Sequence, residues 1–214
     1  MKTEAVIFDM DGLLVDSERI GIDVMHGCGL LQGYDLAPAL IRRTLGSNKQ
    51  SSSDLYHQYF PLLDTDRLFL DFSEQMRALA VAGRIPLMPG APELLAFLKE
   101  HGVPRAVASS SGIETIRAFL AADGVLDAFD ALITANGLPS KPAPDVFLKA
   151  AAALSADPAH CLVLEDSING VKAGRAAGMT VCMVPDQMPF TEELRPFCDH
   201  VLPDLAAVIP LVAL

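Results

Sequence analysis

The sequence predicts an α/β protein built on a three-layer parallel sheet, with a helical segment inserted after the first strand. Three observations support this prediction: short apolar runs alternate with helix-like segments, the alternation is absent from residues 16–85, and acidic or hydroxyl side chains follow several of the apolar runs. Continuous apolar strands that alternate with helices are typical of a parallel sheet covered on both faces. A chain of 214 residues, 51% hydrophobic and 20% charged, is long enough for such a core and an insert.

Strands and helices are predicted in alternation along most of the chain. Apolar runs between turn signals predict buried strands over residues 5–8, 105–108, 131–134, 161–164 and 180–184. Helical periodicity covers residues 92–100, 113–121, 144–154 and 170–177. Ligands of parallel sheets bind beyond the carboxyl ends of the strands. The residues that follow each strand are therefore the candidates for a site.

The segment 16–85 interrupts this alternation. It contains helix-like stretches and no convincing strand, the stretches being residues 17–31, 37–44, 51–59 and 64–82. A proline-rich stretch over residues 84–90 marks the return to the sheet. We therefore predict a core of residues 1–15 and 86–214 and a helical cap domain of residues 16–85. Both connections lie beside the end of the first strand, which the cap can cover.

The end of the first predicted strand carries two carboxylates, Asp9 and Asp11, which lead into a glycine turn. Residues at i and i+2 of an extended segment point the same way. Two anions held together repel each other unless a cation or a shared proton lies between them. A divalent cation ligated by oxygen atoms is a common solution, so Mg²⁺ is the expected cofactor. The alternative is that these acids only help to cap the following helix, with Asp16 or Ser17 as its N-cap.

Three further clusters follow other strands. Ser109 and Ser110 stand between a strand and a helix, where hydroxyls and free backbone N–H groups can hold a phosphate. Lys141 precedes a helix start, where a positive charge opposes the helix dipole and needs an anionic partner. Glu165 and Asp166 follow a strand directly, as Asp9 does. Helix caps and a solvated lysine are the alternatives, but four carboxylates, a lysine and serines at neighbouring strand ends together favour a site.

Composition excludes several classes of function. The formal net charge of −11 and the absence of a basic stretch argue against binding to nucleic acid or to an anionic membrane. No apolar run is long enough to span a bilayer, and the N-terminal residues do not resemble a secretory signal. The cysteines show no CxxC spacing and the histidines no zinc-ligand spacing. We expect a cytoplasmic enzyme with reduced thiols.

The ordered strand-end motifs resemble those of the haloacid dehalogenase superfamily over essentially the whole chain. DMDGLLVDS, which begins at Asp9, resembles the first motif, Ser109 the second, Lys141 in SKPAPD the third, and Glu165 with Asp166 in LEDSINGVKAG the fourth. The resemblance implies a Rossmann-like fold with an inserted helical cap. It also implies a Mg²⁺-dependent phosphotransferase whose substrate is a small phosphorylated metabolite.

The same resemblance implies roles for individual residues. Asp9 would be the nucleophile that forms an aspartyl-phosphate, and Asp11 would protonate the leaving oxygen and then activate water. Asp9, the backbone carbonyl of Asp11 and Asp166 would bind Mg²⁺ directly, with Glu165 acting through a water. The phosphate would be held by three residues: Ser109, Ser110 and Lys141. Asp11 argues against dehalogenation, because the dehalogenases of the family lack that acid.

Within the superfamily the chain resembles the helical-cap phosphatases of the pseudouridine-5′-phosphatase and 2-deoxyglucose-6-phosphatase types. A β-phosphoglucomutase-type phosphosugar mutase is the alternative. That enzyme carries a histidine where Gly21 stands and an arginine close to Asn48, and both differences weaken the assignment. Arg43, Asn48 and Lys49 belong to a polar cluster of the cap and are candidate substrate contacts, a solvated turn being the other interpretation. We expect a monomer.

Two alternative hypotheses place the protein in classes other than enzymes. Response-regulator receiver domains also place acids, a hydroxyl residue and a lysine on such a sheet, but an insert of residues 16–85 does not fit them. A catalytically silent metal-binding scaffold is the other. No position that the resemblance requires for catalysis is missing, which favours the enzyme.

Overall fold

The computed structural model describes residues 3–212, which form a six-stranded parallel sheet with helices on both faces. The strand order is β3-β2-β1-β4-β5-β6. The strands are β1 (Ala5–Phe8), β2 (Arg105–Ser109), β3 (Ala131–Thr134), β4 (Cys161–Glu165), β5 (Thr180–Met183) and β6 (His200–Val201). Every neighbouring pair runs parallel. The predicted fold class, a Rossmann-like core with an inserted helical cap, is confirmed.

Helices fill the connections between the strands. Four of them follow β1: α1 (Ser17–Leu31), α2 (Pro38–Arg42), α3 (Lys49–Tyr59) and α4 (Thr65–Val81). The others are α5 (Ala91–Glu100), α6 (Ile113–Ala122), α7 (Asp145–Ala153), α8 (Ile168–Ala176) and α9 (Ile209–Val212). The sequence did not predict β6, because a strand of two residues that begins with a histidine carries no apolar run.

Both faces of the sheet are buried, as the continuous apolar strands require. Val6 and Phe8 of β1 point into a cluster that includes residues of α5 and α6. Ala5 and Ile7 point to the opposite face, into a cluster that includes residues of α7 and α8. Successive side chains of a strand alternate between faces, so a strand without polar residues needs cover on both sides. The result is the three-layer core.

The helices of the insert have an apolar cluster of their own, which contains Tyr56 and Leu68 among its fully buried members. At the far end of α4, Met76 and Ala80 instead join the cluster on the α6 side of the sheet. The N-termini of α3 and α4 are capped by the side chains of Asn48 and Asp64, respectively. The cap therefore rests on the core along α4.

The two connections between the insert and the sheet pair with each other. The amide of Asp16 donates to the carbonyl of Pro86 at 2.9 Å, and the amide of Met88 donates to that of Leu14 at 2.9 Å. Val15 and Leu87 form an antiparallel bridge between these hydrogen bonds. The pairing holds the insert above the carboxyl end of β1. The predicted boundaries of the cap domain, residues 16 and 85, stay a prediction.

The cysteines and the helix lengths concern two predictions from composition, namely reduced thiols and the lack of a membrane-spanning segment. All four cysteines lie within the described residues, where they are free and buried. Over residues 3–212, no helix combines the length and the apolarity that crossing a bilayer would require.

Candidate active site

The carboxyl ends of three adjacent strands bring the candidate residues together. Phe8 is in register with Val107 of β2 and with Leu164 of β4. The residues that follow, Asp9 on one strand and Ser109 and Glu165 near the ends of its neighbours, therefore lie side by side at one edge of the sheet. All three side chains are buried or nearly so. This edge is where a parallel sheet is expected to bind its ligand.

Lys141 lies at the centre of this group. Its ammonium donates to Oδ1 of Asp9 at 2.5 Å, to Oε1 of Glu165 at 2.7 Å and to the carbonyl of Ala108 at 3.3 Å. The side chain is only 7% exposed. A buried ammonium is costly unless its hydrogen bonds are satisfied and opposite charges are close. Both conditions hold here, so the solvated-lysine interpretation does not describe Lys141.

Glu165 is fully buried and fully engaged. Oε1 accepts from Lys141, and Oε2 accepts from the amides of Asp166 and Ser167 and from the Ser167 hydroxyl at 2.9 to 3.0 Å. The first turn of α8 must lie very close to this carboxyl group, because a Cβ on Gly170 would be 1.8 Å from its atoms. In this arrangement Glu165 supplies a negative charge that orients Lys141. Both of its carboxylate oxygen atoms accept hydrogen bonds.

Hydroxyl groups hold the carboxylate of Asp11 in place. Oδ1 accepts from Ser17 at 2.8 Å, and Oδ2 accepts from Ser111 at 2.9 Å and from Ser109 at 3.3 Å. The N-cap of α1 is Asp16, whose side chain makes no capping hydrogen bond. Sequence reasoning missed Ser111, although the run of three serines was a signal that more than one hydroxyl lies there.

Among the described residues, the buried carboxylate oxygen atoms without a hydrogen-bond partner include Oδ2 of Asp166 and Oε2 of Glu18. Gly12 separates them. It has a φ of 81°, and a Cβ there would lie 2.6 Å from Asp166 Oδ2 and 3.0 Å from carbon atoms of Glu18. Sequence reasoning also missed Glu18, because an acid in the first turn of a helix is usually a response to the helix dipole. The unpartnered oxygen atoms suit a cation.

Burial governs the protonation of these groups. It raises the pKa of Asp9 to about 7, although Lys141 acts in the opposite direction. Burial raises the pKa of Glu18 to about 8 and also raises that of Asp166, and in both cases neighbouring acids add to the effect. Burial alone would lower the pKa of Lys141, but Asp9 and Glu165 raise it above its ordinary value. The site therefore carries anionic groups that one lysine does not satisfy.

The acids that could bind a divalent cation are engaged with other groups in this side-chain arrangement. Among residues 3–212, no three His, Cys, Asp or Glu side chains converge as ready-made ligands. The acids do not converge because Lys141 bridges Asp9 and Glu165, and because serine hydroxyls donate to Asp11. The unpartnered oxygen of Asp166 and the raised pKa of Asp9 nevertheless fit a hard cation with oxygen ligands.

Two cavities open beside the carboxylates. The larger, of about 560 Å³, reaches Asp11 and Ser110, and the smaller, of about 240 Å³, reaches Lys141 and Ser110. Lys49 lines both, and Asn48 lines the smaller one, where its side chain is also the N-cap of α3. Arg43 lines neither cavity, because its guanidinium turns to the Tyr59 hydroxyl at 2.7 Å.

Comparisons with known proteins identify the family of this chain. The family of haloacid dehalogenase-like hydrolases matches residues 3–178. Hexitol phosphatase B of Escherichia coli strain K12 is 38% identical over 188 residues, covering 85% of this chain and 83% of that protein. A probable pseudouridine-5′-phosphatase of Drosophila melanogaster is 31% identical over 218 residues, covering 98% and 93%. The crystal structure of a β-phosphoglucomutase from Clostridium difficile superposes with a TM-score of 0.79 over 96% of this chain and 93% of that one, at 22% identity.

The chain belongs to the haloacid dehalogenase-like hydrolases. The family match and the 38% identical relative define that class, and the fold is consistent with it. Within the class it is a phosphatase, an enzyme that hydrolyses phosphoric monoesters. The likeness to the mutase, at 22% identity, concerns the fold alone.

Proposed function

We propose that this enzyme is a Mg²⁺-dependent phosphatase that hydrolyses a small phosphorylated metabolite through an aspartyl-phosphate on Asp9. The observation that carries the proposal is the arrangement of two acids with different surroundings. Asp9 is paired with a buried lysine, whereas the carboxylate of Asp11 is held by three serine hydroxyls at the mouth of the larger cavity. These different surroundings support our assignment of Asp9 as the nucleophile and Asp11 as the proton carrier.

The residues divide the reaction into two displacements. A carboxylate oxygen of Asp9 attacks phosphorus, the ester bond breaks, and Asp11 gives its proton to the leaving oxygen. A water molecule then passes a proton to Asp11 and attacks the phosphorus of the aspartyl-phosphate. Inorganic phosphate leaves and the carboxylate of Asp9 is restored.

Phosphoryl transfer needs positive charge and hydrogen-bond donors around the equatorial oxygen atoms. Lys141 and the hydroxyls of Ser109 and Ser110 are the groups we assign to that task. Ser109 is buried and Ser110 is exposed and lines both cavities. In the side-chain arrangement described, Lys141 neutralises Asp9, and it is close enough to serve a phosphoryl group there.

Mg²⁺ would be held by Asp9, Asp166 and the backbone carbonyl of Asp11, with Glu165 behind them. When bound, it supplies charge that offsets the phosphoryl oxygen atoms and the repulsion between the acids. The support is the buried, unpartnered Oδ2 of Asp166. Because the oxygen atoms of Glu165 are engaged by Lys141 and by its own turn, we assign it to the outer part of the site.

The cap is proposed to supply the contacts to the rest of the substrate. Lys49 and Asn48 line the cavities and keep that role as candidates. Arg43 is exposed and bonded to Tyr59, and its contact with substrate would require a different side-chain conformation. Gly21, where the mutase alternative would need a histidine, lines the larger cavity and has no side chain to offer. This favours hydrolysis.

The experiment is phosphate release from a panel of monoesters, measured with Mg²⁺, with EDTA, and with the Asp9→Asn variant. The panel contains sugar phosphates, nucleoside monophosphates and phosphoglycolate. Release that depends on both the metal and Asp9 supports the proposal. Release that persists in EDTA contradicts the metal requirement. Conversion of β-glucose 1-phosphate to glucose 6-phosphate without release would establish the mutase instead.

A further inference from the structure

The larger cavity has an apolar wall on the side of the cap. Six apolar side chains of the insert line it: Met25, Ile41, Leu45, Phe69, Phe72 and Met76. Phe119 of the core adds a third aromatic ring. A cavity of this size with a few polar groups at one end is typical of a small-molecule site. The apolar wall therefore indicates the chemical character of the part of the ligand that is not phosphate.

One face of α4 provides three of these seven side chains. Phe69, Phe72 and Met76 are spaced so that they fall on the same side of the helix. Phe69 and Phe72 are only half-buried, so part of each ring is open to the cavity. Opposite them stands Gly21, where a Cβ would already lie 3.4 Å from the ring of Phe72. Gly21 also lines the cavity, and a larger side chain there would cover part of that ring.

The charges along the cavity disfavour a second anionic group. Lys49 is the one cationic side chain among the described residues that line it, and its ammonium is 2.8 Å from Oδ1 of Asp66. Asp11 and Glu18 are acids in the same lining. A second phosphate would meet two acids and a cation that already has a partner, so a bisphosphate fits poorly.

An open-chain polyol fits poorly for another reason. It carries a hydroxyl on nearly every carbon, and each hydroxyl that is buried against an apolar wall loses its hydrogen bond to water. The flat face of a ring has no such groups and can stack on an aromatic side chain. The hydroxyls of Thr44, Ser52 and Ser73 lie elsewhere in the lining. Each donates to a backbone carbonyl, so its oxygen can accept a hydrogen bond from the polar edge of such a ring.

We infer that the substrate is a monophosphate whose uncharged body carries a flat ring, as in a nucleoside monophosphate, and that Phe72 selects it by stacking. This inference rests on the proposed function, because it requires the phosphate to sit beside Asp9 and Lys141. The cavity reaches Asp11 and Ser110, so a monoester held there extends its body towards α4. Phe72 is a specificity residue and takes no part in the chemistry.

The test compares kcat/KM for five compounds: uridine 5′-monophosphate, pseudouridine 5′-monophosphate, sorbitol 6-phosphate, fructose 1,6-bisphosphate and acetyl phosphate. Acetyl phosphate has almost no body and reports on the chemistry alone. We expect the nucleoside monophosphates to exceed the polyol phosphate and the bisphosphate. In Phe72→Ala, the ratio of nucleoside monophosphate to acetyl phosphate should fall about fivefold or more through KM, which is the scale of one stacked base. Phe72→Tyr should restore the ratio, because it keeps the ring.

Leu70→Ala is the matched control, since Leu70 lies on the same helix and is 52% exposed outside the cavity lining. Its ratio should equal that of the unaltered enzyme. Preference for sorbitol 6-phosphate, or a ratio that Phe72→Ala leaves unchanged, overturns the inference while acetyl phosphate is still hydrolysed. Failure to hydrolyse acetyl phosphate as well would instead mean that the proposed function is wrong.

Discussion

At the scale of single residues, the two acids of the first motif, Asp9 and Asp11, differ in their hydrogen-bond partners. Asp9 has a lysine as its partner, and burial places its pKa at about 7. Asp11 has three hydroxyl donors and belongs to the cavity lining. Acids with different surroundings can hold different protonation states during one reaction. Spacing alone could not make this distinction, because it does not show which side chains from the rest of the chain reach each carboxylate.

Asp11→Asn tests the proton-transfer role. A serine hydroxyl can accept as well as donate a hydrogen bond, so an amide should remain held by Ser17, Ser109 and Ser111. It cannot give or take the proton, and kcat should fall by about 10²–10⁴. Binding of Mg²⁺, followed by calorimetry, should change far less. Equal losses in both measurements would refute the assignment of Asp11 as acid and base.

Gly170→Ala tests whether the first turn of α8 fixes Glu165. The added methyl group would overlap the Glu165 carboxyl group at 1.8 Å, so either the helix or the acid must move. We expect a loss of about 1–3 kcal/mol in the free energy of unfolding and a clear loss of activity, because Lys141 is bonded to Glu165.

Gly27→Ala is the matched control for this substitution. Gly27 lies inside α1, and a Cβ there would contact nothing within 4 Å. Its stability should stay the same or rise, since alanine is the better helix former. If Gly170→Ala proved as stable and active as this control, Glu165 would not be held by the turn.

The raised pKa of Asp9 predicts how pH and Mg²⁺ act on stability. The folded protein keeps this proton up to about pH 7, whereas the unfolded chain loses it near 3.8. Without metal, the contribution of Asp9 to stability is therefore present at low pH and is lost as pH rises through about 7. Mg²⁺ needs the ionised acids, so it should stabilise the protein more at about pH 8 than at about pH 6.

Thermal unfolding measures this effect. With Mg²⁺ at about 100 times its Kd, the gain is about 2.7 kcal/mol, or roughly 5–10 °C in Tm. Asp166→Asn should raise the Tm of the metal-free protein at about pH 8, because it removes a buried acid with a raised pKa, and should abolish most of the response to Mg²⁺. An undiminished response in this variant would exclude Asp166 as a ligand.

At the scale of elements, the loop between α2 and α3 touches the sheet domain directly. The side-chain amide of Asn169, in the first turn of α8, donates to the carbonyl of Gly46 at 2.9 Å. Gly46 lines both cavities. The loop therefore meets the core beside the site, through this hydrogen bond and next to Ser167, whose Cβ would lie 3.3 Å from a Cβ on Gly46.

Asn169→Ala tests that contact. Loss of one hydrogen bond between neutral groups costs about 0.5–1.5 kcal/mol, so KM should rise by about 2–10-fold, and amide exchange of residues 44–48 should become faster. Gln32→Ala is the control, because Gln32 makes its hydrogen bonds to Asp64 inside the insert. Unchanged KM and exchange in Asn169→Ala would show that the contact does not hold the loop.

The elements also show what sequence can and cannot predict. Strands β1 to β5 were predicted within one residue because each is an apolar run that must be buried on both faces. The short β6 was missed for lack of such a run. Glu18 and Ser111 were missed because their roles depend on contacts with distant parts of the chain. Arg43 is a predicted substrate contact because the sequence shows its charge. The sequence does not show that its guanidinium is hydrogen-bonded to the Tyr59 hydroxyl.

At the scale of the whole molecule, the topology explains why the sheet and the insert are assigned different roles. The parallel sheet gathers Asp9, Ser109, Glu165 and Asp166 at one edge, because neighbouring strands end there. The insert leaves and returns through paired connections beside β1, so its helices can only lie above that edge. This topology is the reason that we assign the proposed chemistry to the core and the proposed choice of substrate to the apolar wall of the insert.

The central claim is that Asp9 carries the phosphoryl group between the two displacements. The direct measurement is rapid-quench mass spectrometry of the enzyme during turnover of acetyl phosphate, with Mg²⁺ present. The Asp11→Asn variant then slows only hydrolysis of the intermediate, because the acetate leaving group needs no proton from Asp11. We expect one phosphoryl group on the peptide that contains Asp9, and none in Asp9→Asn. Turnover without any phosphorylated peptide, or turnover by Asp9→Asn, would contradict the account.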